Sequence, residues 1–219
     1  WKNVLRGDHL KRVSKIRMEK GLAVIVGSVK GLVEEGKIVR SLLEKITPEA
    51  VALHIGKEEL EGLEAVVQGK VKNTMMSSFE KVYARKLSRY GEVQIPPPSL
   101  VESLRWAKEE DKPVLTLDFD DAEYDTVYTD IVSGLTMVRQ SLRLKRINRR
   151  KFKVDNAIEF ALEWDRISNR LSGLKKLEKA RERKQSENIK LSLERFDVVL
   201  CVVEMERKEG ITSILRSDS

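Results

Sequence analysis

The sequence predicts an α/β protein, with a central sheet that is largely parallel or mixed and is flanked by helices. Three observations carry this. Gly21 to Gly56 reads as strand, glycine-containing turn, helix, proline-marked loop and strand, which is a βαβ unit. Two further short apolar runs, residues 113–117 and 196–203, read as buried strands. The segments between these runs mix apolar and charged residues at near-helical spacing, so helices are expected on the faces of the sheet.

The elements follow in order. Residues 23–26 are a β-branched apolar run between Gly21 and Gly27, a buried strand. Residues 32–46 place Leu32, Val33, Ile38, Leu42, Leu43 and Ile46 at helical spacing, and Thr47-Pro48-Glu49 ends that helix before the strand 50–55. Residues 58–67 and 77–88 read as further helices. Ile95-Pro96-Pro97-Pro98 is a rigid break, after which Ser99 is expected as an N-cap with Glu102 as its capping-box partner. Strand 113–117 ends in an acidic loop. Helices are expected over 128–144 and 156–193, the latter broken near Ser172-Gly173, and residues 175–184 read as a solvated charged face. The final strand is expected to lead into a turn at Gly210-Ile211 and a polar tail.

At 219 residues, the chain suits one domain, with residues 139–184 as a strongly charged helical segment within it. Lys, Glu and Arg are abundant and Asn, Gln and Cys scarce, the surface chemistry of proteins stabilised by ion-pair networks at high temperature. A single cysteine, Cys201, excludes an internal disulfide framework and reads as a small buried hydrophobe. With no secretory pattern visible, the expected setting is reducing and cytoplasmic. No apolar run is long enough to span a bilayer as a helix, and no membrane partner is expected.

The net charge of +7 is unevenly spread. Between Arg139 and Lys153 stand eight basic residues and no acid, whereas between Asp118 and Asp130 stand six acids and no base. Such blocks can neutralise one another within one chain or across two, so a homo-oligomer is among the expected assemblies.

Several motifs carry candidate chemistry. Gly31 to Lys37 matches the spacing of a phosphate loop, but Ile38 stands where a hydroxyl would hold magnesium, and two glutamates lie inside; a helix is expected instead. His9 lies in a basic leader without a partner motif. His54 ends a strand, where α/β sheets tend to place ligands. Asp118 and Asp120 follow another strand as close carboxylates of the kind that hold a hard cation. Arg143, Lys145, Arg146, Arg149, Arg150 and Lys151 form a block suited to phosphate contacts, although Phe152 alone offers little base stacking.

Five segments, in collinear order, resemble the TraB family, within the wider group that includes the Tiki proteases. A family strand ending in G-T-x-H resembles Gly27-Ser28-Val29-Lys30. P-D-x-V-A-x-E-L resembles Pro48-Glu49-Ala50-Val51-Ala52-Leu53-His54-Ile55, and G-P-P-G-x-E-F resembles the segment from Ile95 to Glu102. V-x-L-G-D-R resembles Val114 to Phe119, and V-V-G-x-G-H-x-x-G-I resembles Val202 to Ile211. The departures fall on the chemistry that the resemblance implies. Lys30 and Arg207 stand at the two histidine positions, His54 at a glutamate, and Phe119 at an arginine, while Asp118 is retained. Lys and Arg are cations and do not ligate a metal as neutral imidazoles do.

The resemblance therefore implies a catalytically degenerate relative, with no metal or other cofactor. Lys30, Arg207, His54 and Asp118 would line its cleft and bind an anionic small molecule or protein partner. One alternative is a metal-dependent hydrolase or peptidase, with Asp118, Asp120 and His54 around a divalent ion. The other is a nucleic-acid-binding module using the block from Arg143 to Lys151.

Overall fold

The structure is a computed structural model that describes residues 12–71 and 76–218. Its strands are β1 (Val13–Met18), β2 (Gly21–Ser28), β3 (Ala50–Leu53), β4 (Val114–Thr116) and β5 (Val198–Glu204). They form one sheet in the order β1-β2-β5-β3-β4. β2, β5, β3 and β4 run parallel, and β1 pairs antiparallel with β2 at the edge. The helices among the described residues are α1 (Val33–Ile46), α2 (Lys57–Val67), α3 (Ser78–Leu87), α4 (Pro98–Glu109), α5 (Asp121–Ile131), α6 (Gly134–Arg149), α7 (Ala157–Ser168), α8 (Ser172–Leu193) and α9 (Met205–Ser217). The predicted α/β class is the one the chain adopts.

The strand alternation divides the core. Val24, Val26, Val51, Leu53, Leu200 and Val202 face α1 and α4, against Val39, Leu43, Leu104 and Trp106. Ala23, Ile25, Ala52, Cys201 and Val203 face α8 and α9, against Ile189, Leu193, Ile211 and Leu215. Burying one such aliphatic side chain contributes about 1.5–3 kcal/mol, which is why strands apolar on both faces settle between helical layers. A third cluster, with Phe160, Trp164, Leu87 and Ile147, joins α3, α6 and α7 into a lobe over the open end of the sheet.

One strand lies outside the expected elements, and four local expectations need correction, among them the single helix 128–144, which is divided at Val132-Ser133 into α5 and α6. β1 carries Lys15 and Arg17 and buries only Ile16, so its apolar signal is the weak one of an edge strand. Ser99 does not cap α4: Pro97 precedes a helix that begins on Pro98, and the buried Ser99 carbonyl accepts from Ser103 Oγ at 2.8 Å. Proline's fixed φ suits the first helical position and moves the start two residues earlier. The acidic loop is brief, since Asp120 caps α5 by accepting from the Glu123 N–H at 2.8 Å. Gly210-Ile211 is no turn; both lie within α9, whose Ile211 and Leu215 are wholly buried.

Candidate functional site

Because four strands run parallel, their carboxyl ends lie along one edge of the sheet. Ser28 at the end of β2 stands opposite Glu204 at the end of β5, and Leu53 of β3 pairs with Val202 of β5 and Thr116 of β4. Lys30, His54 and Asp118 follow their strands by one or two residues, and Arg207 lies in the first turn of α9. The chain ends of β3 and β4 cross closely at Gly56, where a Cβ would come within 2.3 Å of the Phe119 carbonyl oxygen.

Arg181 of α8 organises the floor. Its Nη2 and Nε donate to Asp118 Oδ2 at 2.6 and 2.9 Å, and its Nη1 lies 3.2 Å from Glu178 and 3.5 Å from Glu204. Gln185 Nε2 donates to the same Asp118 oxygen at 2.9 Å, while Oδ1 accepts from the Phe119 N–H at 2.9 Å. Arg207 is buried among Asp165, Glu182 at 3.2 Å and Glu178 at 3.6 Å. Gly210 permits this approach, since a Cβ there would meet the Glu182 carboxyl at 2.3 Å. Lys30 is looser: its Nζ is 3.9 Å from Glu80, and 39% of its side chain is exposed. His54 is buried, its Nδ1–H donating to the Val202 carbonyl at 3.0 Å.

These charges act on one another through Glu204. Burial opposes its ionisation, but Arg181, His54, Lys30 and Arg207 outweigh that and hold the carboxyl down at about 2. Glu206 is pushed up to about 8, first by burial and then by the Glu204 charge. One carboxyl is thus ionised and its neighbour protonated near neutrality, a split produced by environment alone. Burial also raises Glu178, Glu182 and the Tyr83 hydroxyl.

Two adjoining cavities open over this floor and share Lys30, Glu80, Ile95, Arg181 and Glu204. One, of about 220 Å³, runs under the aromatic side chains Phe79, Tyr83 and Trp164. The other, of about 290 Å³, is reached by His54, Glu59 and Leu63.

The structure thus places Lys30, His54 and Asp118 at the strand ends, with Lys30 and His54 on one cavity wall and Asp118 turned under Arg181. Asp120 caps a helix rather than facing the floor. Among the described residues, no group of three or more His, Cys, Asp or Glu side chains is arranged to hold a metal ion. His9 lies outside the described residues. Cys201 is fully buried, and burial pushes its thiol up to about 12, as befits a structural side chain.

Sequence reasoning missed Glu178, Arg181 and Glu182, taking residues 175–184 for a solvated face. The signal was available: Leu174, Leu177, Arg181, Gln185, Ile189 and Leu193 recur every three or four residues, so Arg181 falls within the stripe of α8 that turns inward. Among the described residues, the acidic block meets α8 through Asp118–Arg181 and Glu123–Lys184 at 2.7 Å, and no ion pair joins it to the basic block of α6.

No protein-family model matches the chain, and a search of curated proteins finds no match either.

Proposed function

We propose that this chain is a catalytically degenerate TraB/Tiki-like protein that acts by holding a small ligand in the strand-end cleft. The observation that supports this reading is the guanidinium pair on the floor. Arg181 and Arg207 occupy the spaces between Asp118, Glu178, Glu204, Glu182 and Asp165. Their fixed charges neutralise the carboxylates of the floor, where the resemblance implies a metal. Lys30 can leave its 3.9 Å contact with Glu80 at little cost, because both side chains are well exposed. Together with His54 it offers an anionic group of the ligand a partner in the larger cavity.

Elemental analysis of the purified protein, with a peptidase assay run with and without added divalent metals, tests this. The expected outcome is metal far below one equivalent and no metal-dependent hydrolysis. One bound metal per chain together with metal-dependent cleavage would favour the hydrolase instead.

A further inference from the structure

The smaller cavity has features that the floor ion pairs leave unexplained. Three of the residues around it carry buried polar atoms without a hydrogen-bond partner: the Tyr83 hydroxyl, Ser168 Oγ and Glu206 Oε2. Ser168 is only 3% exposed, so its hydroxyl forgoes water and has no protein partner in exchange. An unpaired buried polar atom costs about 1–3 kcal/mol, so three beside one cavity set it apart from the packed core.

The walls indicate what kind of occupant fits. Phe79 and Tyr83 pack against Trp164 with ring centroids 5.2 and 5.3 Å away, tilted and edge-on respectively, and form an aromatic side to the cavity. Glu206 is held protonated, and the carboxyl groups of Glu80, Asp165, Glu178 and Glu204 line the cavity against two cations, Lys30 and Arg181. Arg181 is already committed to Asp118, and Lys30 sits at the wall shared with the other cavity. Aromatic faces joined to an excess of carboxylate attract a positive charge of low hydration, and repel an anion. At about 30 Å³ per water, 220 Å³ holds roughly seven waters, or a ligand group of similar bulk.

We propose that the cavity beneath Phe79, Tyr83 and Trp164 binds the organic ammonium group of the ligand, with the carboxyl groups of Glu80, Asp165 and Glu204 facing its charge. This rests on the ligand-binding reading above and adds the ligand's chemistry: a positively charged, alkyl-substituted nitrogen in this cavity, beside whatever anionic group Lys30 meets.

Calorimetric titration of the full chain with choline chloride, its neutral isostere 3,3-dimethyl-1-butanol, and sodium phosphate tests the assignment. Choline is expected to bind saturably, and the neutral isostere about tenfold more weakly or worse, as expected when a cation meets desolvated aromatic faces. Glu80→Gln, at the exposed rim, is expected to weaken choline several-fold. Equal binding of choline and its isostere, or no saturable choline binding, overturns the inference. Phosphate binding that Lys30→Ala abolishes, with choline inert, would overturn it while leaving the ligand-binding reading in place. A stoichiometric metal with metal-dependent hydrolysis would overturn that reading, whatever choline does.

Discussion

Arg181 shows how much can depend on one side chain in a charged floor. Its guanidinium contacts Asp118, Glu178 and Glu204, and these carboxyls have little water to turn to. Removing one partner of a buried ion pair strands the other, so Arg181→Ala is expected to cost about 3–5 kcal/mol by urea denaturation. The half-buried Arg40, which bridges the exposed carboxylates of Glu44 and Glu109, makes the contrast: Arg40→Ala is expected to cost about 1 kcal/mol or less. Glu206 and Glu204 make stability depend on pH in opposite directions. The folded state holds the Glu206 proton up to about 8, against an ordinary value of 4.5, so it binds more protons than the unfolded chain between these limits. Stability contributed by that proton is complete below pH 4.5 and is lost as pH rises toward 8. Glu204, held down at about 2, contributes stability that is complete above pH 4.5 and is lost as pH falls toward 2. Urea titrations at several pH values between these limits are expected to show Glu206→Gln losing the decline on the alkaline side while keeping the acid limb; an unchanged alkaline limb would count against this account.

At the scale of elements, α6 stands apart from the other helices. Its inward face is narrow, with Ile147 buried, while Leu135, Val138 and Leu142 are more than half exposed. At 100° per residue these three align with Lys145, Arg146 and Arg149, so the outward face is aliphatic at its start and basic at its end. The acidic block pairs with Arg181 and Lys184 of α8 rather than with these bases. Of the bases between Arg143 and Lys151, Arg150 is partnered by Glu163 at 3.4 Å and carries the contact from Lys86 on its carbonyl. This leaves α6 as the surface on which the nucleic-acid alternative must be decided. A gel shift with duplex DNA and with single-stranded RNA, repeated at rising salt, measures it. If that alternative holds, Arg146→Glu together with Arg149→Glu abolishes a salt-sensitive shift; a shift that is absent, or that survives the double substitution, ends it.

For the whole molecule, ion pairs tie different elements together: α1 to α4 through Arg40 and Glu109, α5 to α8 through Glu123 and Lys184, α8 to α9 through Glu182 and Arg207. Networks of this kind gain value with heat, because the cost of stripping water from charges falls as temperature rises. The melting temperature is expected above about 65 °C, the upper edge for ordinary mesophilic domains, when followed by circular dichroism; a midpoint well below that removes the thermophile-like reading. The sequence by itself determined the class and most element positions. The apolar runs 23–26, 50–55 and 196–203 and the helical spacing of Leu32 to Ile46 are local patterns, set by backbone periods of two and 3.6 residues. It also marked strand-end residues, Lys30, His54 and Asp118, since parallel strands bring their carboxyl ends to one edge. Only the tertiary structure decided what those residues meet. Arg181 reaches Asp118 across 63 positions of chain, and Glu123 chose Lys184 over the nearer basic helix. Such pairings depend on which helix packs across the open end of the sheet, and no local period encodes that. The protonated Glu206 and the aromatic cavity follow from the same packing, because burial and neighbouring charge exist only once distant segments are assembled.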